Sequence, residues 1–279
     1  MFALRGALTL CVLAGCDTVF GLSRDDHEAD ARTGLDAAAG CPAIGVPLAF
    51  SSNLQVQETG CSEYTGSTRA RAAAWCSGVV REGPPGMLAP VGGLEGTATD
   101  HFDVPHLSAD GSRLYVRHWN NGTLTSAIVE LRRSTGPFGV AHELVIQPAL
   151  DTSARFGTPY YDGTNMMMFV EDVSSLYEIV FDDSGSILSS APYGPADLGV
   201  DAIALAPNLS ADGLRLVFGG AGPSEPSGVY IAERARADDR FGAAHRVTGV
   251  PYAIDPWLDA GCAHLYLSLQ GTVYSLDRQ

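Results

Sequence analysis

The stretch that decides the fold is Pro105-His106-Leu107-Ser108-Ala109-Asp110-Gly111-Ser112-Arg113-Leu114-Tyr115-Val116, because it recurs along the chain. A close second copy is Pro207-Asn208-Leu209-Ser210-Ala211-Asp212-Gly213-Leu214-Arg215-Leu216-Val217-Phe218. Two looser copies begin at Pro159 and Pro256, and the turn glycines of the four copies, at 111, 163, 213 and 261, are 52, 50 and 48 residues apart. A near-constant period of this length, carrying strand and turn signals, is typical of a propeller or a solenoid.

Each close copy predicts one turn and the two strands beside it. Proline opens a strand, Asp-Gly supplies a tight turn, and the next strand begins at Arg113 or Arg215. Because proline has no N–H to donate, its strand should have an unpaired edge, as the innermost strand of a propeller blade has. Further strands are predicted at 124–132 and 227–234, each followed by Phe-Gly and a short fourth strand. Four strands per repeat is the content of one blade.

The repeat can be compared with a known family. The pattern Pro-x-Leu-Ser-x-Asp-Gly-x-Arg-Leu, the strand Val229-Tyr230-Ile231-Ala232-Glu233-Arg234 and the Phe-Gly junction resemble the WD40-like propeller repeat of the TolB family. The resemblance covers about residues 101–279 and implies a β-propeller, while it says almost nothing about activity. The alternative is a β-sandwich with chance hairpins, which does not require a similar turn at a constant interval.

The sequence therefore predicts an all-β protein whose residues 41–279 form a β-propeller of five four-stranded blades, with six as the alternative. Residues 55–100 are interpreted as a degenerate first blade, with its turn at 60–66 and a late strand at 87–91. The last repeat ends after three strands. We expect Val46-Pro47-Leu48-Ala49-Phe50 to supply the fourth, so that an N-terminal strand closes the ring and removes the exposed sheet edges.

Composition excludes some classes of protein. Hydrophobic residues make up 46% and charged residues 18% of the chain, which is too apolar for a disordered protein. The formal net charge of −15 would repel the phosphates of a nucleic acid. We therefore expect no nucleic-acid partner.

The N-terminus indicates export. Residues 1–15 carry one arginine and a short apolar run, as a signal peptide does, and are too few to span a bilayer as a permanent helix. Leu13-Ala14-Gly15-Cys16 resembles the bacterial lipobox, which implies that Cys16 carries a diacylglyceryl group and that lipid holds the protein at a membrane of the bacterial cell envelope. Residues 16–40 are interpreted as an acidic flexible tether. A plain cleaved signal peptide is the alternative, and the choice between inner and outer membrane stays open.

Four cysteines remain after Cys11 and Cys16 are set aside. An even number in an oxidising compartment predicts two disulfides, although four cysteines allow three pairings and free thiols are the alternative. We expect Cys61 to pair with Cys76 inside the first blade and Cys41 to pair with Cys262 across the ring closure.

The sequence has no strong catalytic signature. His101-Phe102-Asp103-Val104-Pro105-His106 is the best metal-like cluster, but strand alternation lets at most two of its three candidate ligands converge, so we expect no metal or other cofactor.

The residues that follow the repeat prolines form the candidate ligand site. These are His106, Tyr160, Asn208 and Trp257. Because the next residue of each copy is apolar or aromatic, alternation is expected to turn these four side chains toward the channel mouth, where they would bind a sugar or peptide. Ordinary packing at the blade tips is the alternative.

The predicted function is that of a lipid-anchored binding or scaffold module with an envelope protein or glycan as its partner. The competing hypothesis is a hydrolase or lyase that acts on glycans or peptides at the channel mouth.

Overall fold

A computed structural model describes residues 40–67, 71–123, 125–144, 155–161, 164–172, 175–222, 227–250 and 254–279. The predicted signal peptide, Cys16, the tether up to residue 39 and the turn at Asp162 and Gly163 lie outside the described residues. Among the described residues, no helix combines the length and the apolar character that a membrane crossing requires.

The described strands form five antiparallel sheets, which are the blades of a β-propeller. The first strand in the chain, β1 (Gln55–Thr59), belongs to the last blade. Blade 1 contains, from the channel outward, β2 (Cys61–Gly66), β3 (Ala72–Cys76), β4 (Val79–Gly83) and β5 (Ala89–Pro90). Blade 2 contains β6 (Asp100–Leu107), β7 (Arg113–Asn120), β8 (Thr125–Arg132) and β9 (Gly139–Leu144).

Blade 3 has an interrupted inner strand, because two short strands pair with the same neighbour. It contains β10 (Arg155–Phe156), β11 (Tyr160–Tyr161), β12 (Met166–Asp172), β13 (Ser175–Phe181) and β14 (Ile187–Tyr193). Blade 4 contains β15 (Ala202–Leu209), β16 (Arg215–Ala221), β17 (Gly228–Glu233) and β18 (His245–Arg246), and a short 3-10 helix, Pro195–Leu198, precedes it. Blade 5 contains β19 (Ile254–Leu258), β20 (His264–Leu269), β21 (Thr272–Asp277) and β1.

The five-blade prediction is confirmed, and so is ring closure by an N-terminal strand, although the closing strand is not the expected one. β1 pairs antiparallel with β21, whereas Phe50 makes only an isolated bridge to Arg278. Pro47 lacks an N–H for a ladder, and Leu48 and Phe50 are buried instead in the core between blades 4 and 5. Residues 46–50, predicted to form the closing strand, therefore pack in the core. Residues 55–59 form the strand that pairs with β21.

The first blade also differs from its prediction. Residues 61–66, expected to form a turn, are the inner strand β2. The late strand expected at 87–91 is present as the two-residue β5. The sequence Gly60-Cys61-Ser62 suggested a turn, but cross-strand pairing with β3 and the Cys61–Cys76 disulfide hold this segment extended.

The hydrophobic core lies between the blades. Among the described residues it separates into five clusters, one for each pair of neighbouring blades. Between blades 1 and 2, for example, Ala73 and Val80 meet Leu107, Leu114 and Val116. Each blade thus buries both faces against neighbours, which is why the repeat is stable only as a ring.

Connections alternate between the two ends of each blade, because the strands form an antiparallel meander. The turns around Gly111, Gly213 and Gly261, which join first and second strands, lie at one end, together with the loops between third and fourth strands. We call this end the glycine-turn rim. The hairpins between second and third strands, such as the one at Asn121, form the opposite rim.

The contacts of Arg234 give a structural role to the Phe-Gly junction, for which the sequence analysis had found none. Its Nε donates to the carbonyl of Gly213 at 2.7 Å, and its Nη1 pairs with Glu178 of the preceding blade at 2.7 Å. Its guanidinium also stacks on Phe241 of the Phe-Gly junction, 4.3 Å from the ring centroid. One side chain therefore holds the turn, the junction and the neighbouring blade.

Arg133 does the same in blade 2. It donates through Nε to the carbonyl of Gly111 at 2.9 Å, pairs with Glu82 of blade 1 at 3.1 Å, and stacks on Phe138 at 4.1 Å. Burial by itself would raise the pKa of Glu82, but hydrogen bonds from Arg71 and Arg133 and their charges hold that pKa below its ordinary value. The Glu82 carboxylate therefore stays ionised at neutral pH.

Replacing Arg234 tests this arrangement. Arg234→Met leaves the mostly buried Glu178 carboxylate without its cation, so we expect the free energy of unfolding to fall by about 3–5 kcal/mol. Arg236→Met is the matched control: Arg236 pairs with Asp238 on the surface and is 73% exposed, so the loss should be about 1 kcal/mol or less. Equal losses in urea unfolding would contradict the role assigned to Arg234.

Both predicted disulfides, Cys41–Cys262 and Cys61–Cys76, are formed. Cys41–Cys262 closes a span of 221 residues and ties the N-terminal segment to blade 5. Cys41→Ala/Cys262→Ala should therefore lower the free energy of unfolding by about 2–4 kcal/mol, and reductant should destabilise this variant less than the wild type. Calorimetry with and without reductant measures both effects, and identical melting temperatures for variant and wild type would count against a stabilising link.

Candidate functional site

The inner strands of blades 1, 2 and 5 carry a bulge at the same position. Glu63, Val104 and Asp255 have positive φ values of 55°, 50° and 52°, and the ladder of each strand shifts register at that point. This region of φ is costly for any residue with a side chain, and most of all for a β-branched one such as Val104. Such strain persists where surrounding contacts compensate for it.

Contacts across the blade boundary provide that compensation. The amide of Val104 donates to Glu63 Oε2 at 2.7 Å, and the amide of Glu63 donates to Ser268 Oγ at 3.1 Å. Glu63 is 6% exposed and Asp255 is 3% exposed, so both carboxylates are buried near the channel. The side chain at the bulge is thus buried in each of these three blades, and Glu63 joins blades 1 and 2.

Just after the bulges, polar side chains link one blade to the next. We call this set the inner belt: Thr65, His106, Thr158 and Asn208. The amide of Leu107 donates to Thr65 Oγ1 at 3.0 Å, and His106 Nδ1 lies 3.2 Å from Thr158 Oγ1. Asn208 Oδ1 accepts from the amide and the hydroxyl of Thr158, at 2.9 and 3.0 Å, while its Nδ2 donates to the carbonyl of Pro256 at 2.9 Å. The belt runs without interruption from blade 1 to blade 5.

The four predicted ligand contacts lie along these inner strands, and the structure places them at blade boundaries. His106 and Asn208 are 1% exposed and Trp257 is 6% exposed, while Tyr160 is half-buried. His106 and Asn208 are brought together through Thr158. At this burial their side chains offer little surface to a ligand in the conformation described, and their binding role stays a prediction.

Tyr160 and Trp257 each fill space above a glycine of a neighbouring blade. A Cβ on Gly213 would lie 2.7 Å from Tyr160 Cδ1, and a Cβ on Gly66 would lie 2.8 Å from Trp257 Cη2. Trp257 also packs on Tyr266, with ring centroids 5.1 Å apart. These rings therefore act as spacers between blades.

Tyr64 and Tyr266 complete the aromatic contacts between blades 5 and 1, stacked with centroids 5.0 Å apart. Burial, followed by the nearby charges of Asp259 and Asp277, raises the pKa of Tyr266 to about 12. Burial also raises the pKa of Tyr64 well above its ordinary value. Both phenols are therefore neutral at physiological pH and cannot act as bases there.

The predicted metal-like cluster 101–106 is divided between two faces of blade 2. His101 stacks on Trp119 with centroids 4.4 Å apart, and the exposed Asn121 lies 2.9 Å from His101 Nε2. His106 lies further along the strand in the inner belt. Over the described part of the chain, no group of three or more His, Cys, Asp or Glu side chains could hold a metal ion.

On the opposite face of blade 2, Phe102 stacks on His118 with centroids 4.8 Å apart. Hydrogen bonds from Asn120, His118 and Thr97 lower the pKa of Asp100 below its ordinary value. Two aromatic pairs, an amide and an ionised carboxylate therefore lie at the opposite rim. We call His101, Trp119 and Asn121, on the first of these faces, the blade 2 patch; sequence reasoning singled out only His101, because the others become its neighbours through pairing of β6 with β7.

Two surface clefts accompany these features. One, of about 420 Å³, lies on the glycine-turn rim between blades 1 and 2 and is lined by Arg71, Gly111, Ser112, Arg133, Ser134, Thr135 and Gly136. The other, of about 310 Å³, lies beside the Cys61–Cys76 disulfide and includes Glu58, Arg81 and the exposed Met87. The first is the more cationic of the two. Sequence reasoning missed it, because Arg71 and Arg133 come from different blades and become neighbours only in the fold.

No protein-family model matches the chain, and no curated protein matches it either. Solved structures with a similar fold include a gluconolactonase from Xanthomonas campestris, with 11% identity, a TM-score of 0.49 and coverage of 78% of this chain and 72% of that chain. TolB from Acinetobacter baumannii has 12% identity and a TM-score of 0.49, with coverage of 78% of this chain and 54% of that chain, so this chain spans about half of the TolB structure. The propeller of Dos1 has 11% identity and a TM-score of 0.41, with coverage of 78% and 68%. Likeness at this level of identity concerns the fold alone.

Replacing Asn208 tests whether the inner belt has a structural role or binds a ligand. Asn208→Leu would leave the amide of Thr158 and the carbonyl of Pro256 buried without a partner, so we expect a loss of about 2–4 kcal/mol in the free energy of unfolding. Asn53→Leu, at an exposed position, should change it by about 0.5 kcal/mol or less. Unchanged stability of Asn208→Leu in denaturant unfolding would favour a ligand role over the structural one.

Proposed function

We propose that this protein is a lipid-anchored binding module of a bacterial cell envelope, which displays its opposite rim to a protein or glycan partner. The lipobox-like Leu13-Ala14-Gly15-Cys16 supports the anchor. The two disulfides support an oxidising compartment, since such bonds persist outside the cytosol.

The observation that carries the proposal is the place where the described domain begins. Cys41 is bonded to Cys262 in a turn of the glycine-turn rim. The carbonyl of Pro42 accepts a hydrogen bond from Arg215 Nη2 at 2.5 Å, and the amide of Gly45 donates to Glu233 Oε2 at 2.9 Å. The described chain therefore enters the propeller at the glycine-turn rim, and we assign partner contact to the opposite rim.

The blade 2 patch gives that rim the chemistry for recognition. Its rings offer flat apolar surface, and Asn121 and His101 offer donors and acceptors beside it. Aromatic rings with a few placed polar groups are common in sites that bind sugars and peptides. A partner would therefore contact the hairpin at Asn121.

Lipidation is tested by metabolic labelling with a fatty acid in a bacterial host, followed by membrane fractionation. Wild-type protein should incorporate label and sediment with membranes, whereas Cys16→Ser should do neither, because the thiol is the acceptor of the diacylglyceryl group. Cys11→Ser is the matched control and should behave as wild type. Membrane association of Cys16→Ser equal to that of wild type would contradict the anchor.

Display of the opposite rim is tested with a photo-crosslinking residue placed at Asn121 and, as the control, at Arg236 on the glycine-turn rim. Both positions are exposed. In cells, we expect a discrete crosslinked product from position 121 and none from position 236. Products from position 236 alone would overturn the proposed orientation, and turnover of a glycan or peptide by the purified protein would favour the hydrolase or lyase.

A further inference from the structure

From the cleft between blades 1 and 2, we infer a second binding site, which takes a phosphate group through Arg71 and the loop Ser134-Thr135-Gly136. It lies on the glycine-turn rim, away from the blade 2 patch. The inference does not depend on the lipid anchor or on the partner proposed above, so either can fail alone.

The charge of the cleft is the first argument. Its described lining includes two arginines and no acidic side chain, in a chain whose formal net charge is −15. Glu82 lies beneath the two guanidinium groups, with its side chain 7% exposed, and hydrogen bonds from both arginines occupy its carboxylate. Two cations thus share one buried anion, which leaves an excess positive charge at the cleft.

The supply of donors is the second argument. Arg71 uses Nε and Nη2 for Glu82, and among the described residues its Nη1 has no hydrogen-bond partner. The Arg71 side chain is 36% exposed and lines the cleft. Guanidinium groups bind phosphate through charge-assisted hydrogen bonds and retain their charge at any physiological pH.

The loop adds neutral donors beside Arg71. Ser134 and Thr135 bring two hydroxyls, and the backbone amides of 134–136 form no hydrogen bond within the described part of the chain. Gly136 has a φ of +79°, which turns the chain tightly at the cleft. Clustered amides and hydroxyls near a cation are the usual surroundings of a bound phosphate oxygen.

Arg133 contributes charge and rigidity. Its own donors are engaged with Gly111 and Glu82, and its plane rests on Phe138. The exposed Asp110 adjoins the cleft, and its carboxylate accepts the Ser112 hydroxyl at 2.6 Å and the Ser112 amide at 3.0 Å. It fixes Ser112 and does not line the cleft.

The phosphate could belong to a free small molecule or to a lipid headgroup, because the cleft lies on the rim where the described chain begins. The experiment separates these sources. Residues 41–279, purified with their disulfides intact, are titrated with inorganic phosphate at constant ionic strength and followed by phosphorus NMR. The same protein is then sedimented with phosphatidylcholine vesicles that contain or lack phosphatidylglycerol.

We expect the wild-type domain to bind phosphate with a Kd on the order of 1 mM. Arg71→Gln should weaken binding about tenfold or more, because a charged donor is lost. Arg236→Gln, which makes the same charge change at an exposed site, should bind as wild type. Ser134→Ala/Thr135→Val leaves the Glu82 ion pairs intact and should weaken binding without lowering the melting temperature.

Saturable phosphate binding without vesicle binding would assign the site to a free phosphate compound. Binding to phosphatidylglycerol vesicles that inorganic phosphate displaces would assign it to a headgroup. Absence of both, or equal binding by wild type and a folded Arg71→Gln variant, would overturn the inference. An equal loss in Arg236→Gln would also overturn it, by showing that net charge alone is responsible.

Discussion

The rest of the structure depends on closure of the ring. A blade of this size has two faces to bury, and each hydrophobic cluster lies between two neighbouring blades. Without the pairing of β1 with β21, the last blade would lack its outer strand. Cys41–Cys262 and the burial of Leu48 and Phe50 hold the N-terminal segment against the same region. Both ends of the domain therefore stabilise every blade between them.

Polar contacts set the order and spacing of the blades at two places, near the channel and at the glycine-turn rim. Near the channel, the inner belt passes from Thr65 through His106 and Thr158 to Asn208. At the glycine-turn rim, Arg133 and Arg234 each join a turn, a phenylalanine and the preceding blade. Apolar faces can slide, whereas hydrogen bonds with fixed geometry cannot. The repeated polar residues thus fix how neighbouring blades align, although the blades pack through apolar faces.

This difference between repeat and rim positions bears on where we propose that the protein binds other molecules. Residues at equivalent repeat positions, including His106 and Asn208, contact neighbouring blades. Positions that the repeat does not need are at the rims: the blade 2 patch on one side, and Arg71, Ser134 and Thr135 at the cleft on the other. A scaffold built from repeats can vary such rim residues without disturbing its core.

The sequence by itself determined the class of fold, the repeat period and the strand content of most blades, because proline and Asp-Gly turns act through local geometry. It left three disulfide pairings open, because Cys41 and Cys262 are 221 residues apart and only the fold brings them together. Pro105 and Gly111 imply an edge strand and a turn whatever the tertiary structure around them. Only the tertiary structure decided that β1 closes the ring, that 61–66 is a strand, and that His106 faces another blade. Those outcomes depend on which distant residue lies opposite, and local pattern carries no information about that partner.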